Sequence, residues 1–226
     1  MLDPRPDWSQ LFDIAVGQDG LFTTQQAARA GYSPQLLVHH VHSGRARRVR
    51  RGIYRVVHFP VTENEELVAA WLWSEQAGVA SHETALALHE LSDVLPAQIH
   101  LTLPLAWRRR RLRTPEDVTL HHADIEPADR AWFGAVPFTT ARRTLNDCAR
   151  AGLSPELLRT AAKQAVRRGL ATQLELRDVE DALAPRGSGD DRQNGAGRTS
   201  STRRWVCGCA NATDSAWSAR RAPARP

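Results

Sequence analysis

The tight turn between two short helical segments near the N-terminus is the feature that most constrains the fold. Thr23, followed three residues later by a glutamine, has the spacing of a capping box that begins a helix. Gly31 and Tyr32 then separate this helix from the next one, in which Ser33 is the cap and Pro34 takes the first position. Two helices joined so closely are typical of a helix-turn-helix unit.

The second of these helices, Ser33–Ser43, has an apolar side and a polar side. Leu37 and Val41 lie on one side, which we expect to point into the core. In the major groove, the N-terminal residues of a recognition helix contact base edges, and glutamine can pair with adenine. From the two helices, the residues expected to face outward and contact DNA are Thr23, Thr24, Gln25, Ser33, Gln35, His39 and His40.

An arginine-rich segment follows the second helix. Residues 45–55 contain six arginines and no acidic residue. Arg47–Val49 and Ile53–Val57 read as two short strands, and Gly52 permits the positive φ of a tight turn. A hairpin after a recognition helix is a wing, and its positive charge can bind phosphates or enter the minor groove. The arginines expected to contact DNA are Arg45, Arg47, Arg48, Arg50, Arg51 and Arg55.

The distribution of charge along the chain supports a polyanionic partner. The 226 residues carry a formal net charge of +5, with eight arginines against four aspartates in residues 1–60. Residues 187–226 have seven arginines against three aspartates, and their polar composition predicts a disordered basic tail. We therefore predict an α+β protein with a winged helix-turn-helix over 1–60, a mixed α+β domain over 61–186 and the tail over 187–226.

A second basic segment lies in the middle of the chain, between two stretches that alternate apolar and polar residues as strands do. These stretches are Ile99–Leu103 and Val118–His122. We expect the segment between them to be a hairpin tip that forms a second patch for nucleic acid or a partner. Its arginines are Arg108, Arg109, Arg110, Arg111 and Arg113.

The residues that could support catalysis or metal binding do not form a recognisable pattern. His82 and His89 lie two helical turns apart, and His121 and His122 point to opposite faces of a strand. The chain has one lysine, Lys163, and no Gly-Lys-Ser/Thr phosphate loop. We therefore predict no catalytic residue, no metal site, no cofactor and no enzymatic activity.

The remaining signals concern the cellular compartment. Three cysteines are too few for a disulfide framework, Cys148 is expected in the core, and Cys207 and Cys209 offer only two metal ligands. No apolar stretch approaches the length of a membrane span, and the acidic start is unlike a signal peptide. We expect a protein of the cytoplasm without membrane contact.

Residues 1–183 resemble the AbiEi antitoxins of type IV toxin–antitoxin systems. The resemblance rests on five stretches in the family order, each of them short: Gly20–Ala27, Val49–Arg55, Ser81–His89, His100–Pro104 and Thr139–Asp147. It implies a winged helix-turn-helix that binds double-stranded DNA, with repeat sequences in the chain's own promoter as the target, and represses the operon. It also implies a following domain that opposes a nucleotidyltransferase-like toxin without a stable complex.

Two alternatives remain at this stage. The chain could be a solitary protein- or nucleic-acid-interaction module without a toxin partner, because an arginine-rich hairpin also protects an exposed strand edge. It could also be the remnant of a relative fused to a nuclease, since residues 187–226 are too short and polar for such a domain.

Overall fold

The computed structural model describes residues 6–92 and 96–179, which form an α+β structure. The elements in chain order are α1 (Trp8–Val16), β1 (Leu21–Thr23), α2 (Thr24–Arg29), α3 (Pro34–His42), β2 (Ala46–Arg50), β3 (Ile53–Val56), α4 (Glu65–Trp73), β4 (Val79–Ala80), α5 (His82–Leu88), β5 (Ile99–Leu103), β6 (Val118–His122), β7 (Arg130–Phe133), β8 (Val136–Thr139), α6 (Ala141–Arg150) and α7 (Pro155–Arg167). Two short 3-10 helices, Leu105–Arg109 and Pro127–Asp129, complete the described elements.

The helix boundaries in the N-terminal part follow the caps that the sequence predicts. The Thr23 hydroxyl accepts a hydrogen bond from the Gln26 amide at 3.1 Å, and the Gln26 side chain accepts one from the Thr23 amide at 2.8 Å. Ser33 caps α3 by accepting from the amide of Leu36. The predicted capping box and the predicted start of the third helix are therefore confirmed.

The first sheet has three antiparallel strands in the order β1-β3-β2. Because side chains alternate along a strand, Tyr54 and Val56 of β3 face the core formed with α1, α2 and α3. Ile53 faces the other way, into a core that includes the apolar residues of α4. The central strand is thus buried on both sides.

The second sheet has five strands in the order β6-β5-β4-β8-β7 and is mixed. The two strands predicted in the middle of the chain are confirmed as β5 and β6, but they pair in parallel. The basic segment between them was predicted as a hairpin tip, and that prediction is wrong. Parallel neighbours need a crossover connection, and here it contains the 3-10 helix Leu105–Arg109.

The two sheets share a hydrophobic core. Leu21 and Ile53 of the first sheet lie in one cluster with Ala80 and Leu101 of the second sheet and with most of α4. A further hydrophobic cluster, around Leu145, lies between α5, α6 and α7. All the described residues belong to one compact unit. The boundary at residue 60 stays a prediction, and the predicted tail over 187–226 lies outside the described residues.

A buried ion pair connects β3 to α4. Arg55, expected to contact DNA, is only 3% exposed, and its guanidinium pairs with the carboxylate of Glu65. The same guanidinium donates a hydrogen bond to the carbonyl of Phe59 at 2.5 Å. The prediction that Arg55 faces DNA is wrong, because its side chain points to the α4 side of the sheet.

Removal of the Glu65 carboxylate should destabilise the fold. In Glu65→Ala the buried Arg55 loses its charged partner, so we expect the free energy of unfolding to fall by about 3 kcal/mol, measured by urea denaturation. The matched control is Glu66→Ala in the same helical turn, which is exposed and should change stability by less than about 0.5 kcal/mol. Equal effects of the two substitutions would contradict a structural role for the ion pair.

Candidate nucleic-acid interface

Helix α3 presents a polar face to solvent and an apolar face to the core. Leu37 is 3% exposed, and Val41 packs against the same cluster, as the sequence predicts. Ser33, Gln35 and His39 are exposed along the other side, with Ser33 and Gln35 at the N-terminal end of the helix. Ser33 and Gln35 therefore expose polar side chains at the N-terminal end of α3.

His40, in contrast, does not face outward. It is 7% exposed, and its ring stacks on Trp8 with a centroid separation of 5.3 Å. Burial, with smaller effects from Arg45 and His39, lowers the pKa of His40, so the imidazole is neutral at physiological pH. The prediction that His40 contacts DNA is wrong because the ring belongs to the core between α1 and α3.

The hairpin of β2 and β3 ends in a turn formed by Arg51 and Gly52. Gly52 has a φ of +76°, a conformation that favours glycine. The hydroxyl of Thr24 donates a hydrogen bond to the Gly52 carbonyl at 3.1 Å, so the start of α2 fixes the turn. Thr23 is occupied in the capping box, and Gln25 is exposed beside it. Of these helix-start residues, Gln25 keeps its side chain available for a ligand.

The arginines of the hairpin differ in their availability. Arg48 and Arg51 are exposed, and neither makes an ion pair with any residue that the structure describes. Arg48 lies opposite Tyr54 in the register, on the sheet face against which α1, α2 and α3 pack. Arg45 is also exposed, directly after α3.

Two other hairpin arginines are held by carboxylates. The guanidinium of Arg50 pairs with Asp117, and the Arg50 side chain is only 19% exposed. Arg47 approaches Glu65 at 3.4 Å but remains largely exposed. Arg50 is therefore poorly placed to meet a phosphate, although the sequence predicted it as a wing contact. Its partner lies 67 residues further along the chain, so no local pattern could have identified the pair.

The second basic segment lies beside the hairpin turn. A groove of about 840 Å³ is lined by residues of both, together with Trp73 at the end of α4. Arg51 borders it from the turn, and Arg111 and Arg113 border it from the crossover. Three carboxylates also line it: Glu75, which pairs with Arg110, Asp117, which pairs with Arg50, and Glu116. The sequence predicted the two basic segments as separate patches, whereas the structure brings them to one groove.

The members of the second segment are not equivalent either. Arg110 stacks over the ring of Trp107 at 3.8 Å and pairs with Glu75 at 2.9 Å. The other four are exposed and make no ion pair within the described part of the chain: Arg108, Arg109, Arg111 and Arg113.

Three histidines that are far apart in the sequence lie together in the second sheet and α5. His82 meets His100 and His121, whereas His89 lies apart and bonds the carbonyl of Thr139 at 2.8 Å. From the sequence, His82 was compared only with His89, two turns along the same helix. The cluster was not found in this way, because the three clustered residues come from a helix and two strands. The available sequence signal is weak: His100 stands between two apolar residues of its strand, and His121 stands between Leu120 and His122.

Cys148 has the surroundings of a core residue. It is 1% exposed on α6, and burial raises the pKa of its thiol to about 12. At physiological pH the sulfur is protonated and is a poor nucleophile.

Among the helices of residues 6–92 and 96–179, none combines the length and the apolar character that a membrane span needs.

Comparisons with known proteins give one family match. No curated protein matches the chain. The chain is similar to a solved structure, the crystal structure of RV2827C protein from Mycobacterium tuberculosis, with 16% sequence identity and a TM-score of 0.33, over 78% of this chain and 80% of that one. At that score the likeness supports no conclusion. The resemblance inferred from the sequence is confirmed over residues 9–57, which match the family model described as "Transcriptional regulator, AbiEi antitoxin".

Proposed function

We propose that the N-terminal part is a winged helix-turn-helix and that the chain is a DNA-binding transcriptional regulator. The observation that carries the proposal is the pairing of an exposed polar α3 with an exposed arginine hairpin directly after it. Helix α3 would lie in the major groove with Gln35 at base edges, and the Ser33 hydroxyl, which accepts from the Leu36 amide, would keep its own proton to donate to a base or phosphate. Arg48 and Arg51 would bind the phosphates beside it.

The family match supports a proposal about the operon that the chain regulates. Because residues 9–57 match a model of antitoxin regulators, we propose that the chain represses its own promoter as the antitoxin of a type IV system. The functional partner would be a nucleotidyltransferase-like toxin that the chain opposes without forming a stable complex. The chain would act as a regulator and not as an enzyme.

The corrected set of wing residues gives a direct test. In the full chain, Arg48→Ala combined with Arg51→Ala should weaken binding to a duplex from the chain's own promoter. It should also lower the dependence of log K on log salt by about two, since each phosphate contact contributes about 0.9. Fluorescence anisotropy over a range of salt concentrations measures both.

The matched control also removes two arginine charges, but from helices outside the hairpin. Arg150 and Arg167 are exposed on α6 and α7, and their joint replacement by alanine should leave the salt dependence near that of the unchanged chain. If the control variant lowers the salt dependence of binding as much as the hairpin variant does, the change reflects the net charge of the chain and the wing does not contact DNA.

Base recognition by α3 is tested separately. Gln35→Ala should reduce the preference for promoter DNA over a scrambled duplex by about 1–3 kcal/mol, because a glutamine contact to a base edge is lost. His42→Ala, at the far end of the same helix, should leave the preference unchanged. An unaltered preference in Gln35→Ala would argue against α3 as the recognition helix in this orientation.

The groove that joins the two basic segments favours a second candidate function. It would extend the nucleic-acid surface, or hold another acidic partner, through Arg111 and Arg113. If the groove holds the same duplex as the wing, Arg111→Ala combined with Arg113→Ala should also lower the salt dependence by about two. If DNA binding is unchanged while toxin neutralisation in a growth assay is lost, the groove serves the partner instead.

A further inference from the structure

Three histidines from three elements meet on one face of the second sheet. His82 is the first residue of α5, His100 lies on β5 and His121 lies on β6. The parallel register pairs Thr102 with His121, so His100 and His121 project from the same face, while His122 projects from the other. One nitrogen of each of the three rings lies within 4.8 Å of one nitrogen of the other two.

The rings face one another closely. Nδ1 of His100 is 3.1 Å from Nε2 of His121, and the ring of His121 stacks on that of His82 with centroids 3.6 Å apart. His82 is buried, and the other two rings are half-buried. A metal ion binds imidazole through a ring nitrogen, and each of the three rings has one nitrogen near those of the other two.

Hydrogen bonds hold the His82 ring in place. Ser81 Oγ lies 2.9 Å from Nδ1 of His82 and accepts a hydrogen bond from the Thr102 hydroxyl at 2.7 Å. With its second lone pair, Ser81 Oγ can accept from Nδ1–H of His82, which leaves the ring's lone pair on Nε2. Metal-binding histidines donate their other ring N–H to an oxygen acceptor, commonly a carboxylate, a backbone carbonyl or water, and the Ser81 hydroxyl oxygen occupies that place here.

The backbone around the cluster is also fixed. His82 has a φ of +51°, a left-handed conformation that residues other than glycine adopt infrequently. The amide of His100 donates a hydrogen bond to the hydroxyl of Thr84 at 2.8 Å, which ties β5 to α5. Residues held in such a conformation tend to occur at functional sites.

We propose that His82, His100 and His121 together bind one divalent transition-metal ion of the zinc class, with a fourth coordination position open to water. Zinc binds imidazole nitrogen at about 2.0–2.1 Å, which places the ligand atoms of a tetrahedral site about 3.4 Å apart. The closest pair here is near that separation, and small side-chain rotations bring in the third ring. A set of three imidazoles selects zinc, copper or nickel over magnesium or calcium.

Charged groups of both signs lie near the cluster. The negative charge of the Glu83 carboxylate interacts electrostatically with His100, and the positive charge of the Arg143 guanidinium interacts with His82. Arg143 is itself paired with Asp129 and Asp147, so its positive charge is largely compensated. The site does not rest on the DNA-binding proposal, because it is built from other residues.

The test uses the full chain, purified without a histidine tag and stripped of metal by a chelator. Isothermal titration with Zn²⁺ should give one ion per chain. His121→Phe keeps an aromatic ring beside His82 but removes the nitrogen, and it should weaken Zn²⁺ binding by more than about 100-fold. Ser81→Ala should weaken it less, by about 10- to 100-fold, as expected for a residue that only orients a ligand.

Two controls separate this site from other metal ligands in the chain. His122→Phe makes the same substitution one residue along, on the opposite sheet face, and should leave the affinity unchanged. Replacement of Cys207 and Cys209 by serine should also leave it unchanged. Equal loss in His122→Phe, or loss in the cysteine variant, would overturn the proposal.

A measurement on the unchanged chain makes the test independent of how the variants fold. X-ray absorption of the Zn²⁺-loaded protein should show imidazole nitrogen and light-atom ligands without sulfur. The absence of one-to-one Zn²⁺ binding, or a first shell that contains sulfur, would show that the three rings are only a hydrogen-bonded stack in the core.

Discussion

Strand β3 is buried on both faces, and the rest of the N-terminal part is arranged around it. One face carries Tyr54 and Val56 into the core of α1, α2 and α3, and the other carries Ile53 and Arg55 towards α4. A strand buried on both sides cannot leave an arginine unpaired, because an uncompensated charge in the interior is strongly destabilising. Glu65 at the start of α4 meets that requirement, so the helix after the hairpin is part of the same packing unit.

This packing decides which positive charges remain for a ligand. Two of the six hairpin arginines, Arg50 and Arg55, are neutralised by carboxylates from later in the chain. The exposed charge is left at Arg45, Arg47, Arg48 and Arg51. The guanidinium of Arg47 lies 3.4 Å from the Glu65 carboxylate, and only Arg48 and Arg51 lie near the turn without an ion pair among the described residues. The crossover between β5 and β6 then adds further exposed arginines across a shared groove. An estimate of DNA-binding charge from composition alone would therefore be too high for the hairpin and would miss the groove.

The histidines illustrate the same principle in the second sheet. The parallel pairing of β5 and β6, with α5 packed over the pair, brings three rings together that are separated by 18 and 21 residues in the chain. An antiparallel hairpin of the same two strands would pair the residues of β6 with those of β5 in the reverse order. The proposed metal site and the proposed DNA surface thus lie on different elements and depend on different contacts.

The sequence by itself determined the local structure: the capping box at Thr23, the start of α3 at Pro34, the extents of β5 and β6, and the apolar side of α3. Each depends on residues within a few positions, where spacing and propensity act directly. Only the tertiary structure decided the direction of β6, the pairing of Arg50 and Arg55, the burial of His40 and the meeting of three histidines. These depend on partners from distant segments, and a local pattern contains no information about which segment will cover a given side chain.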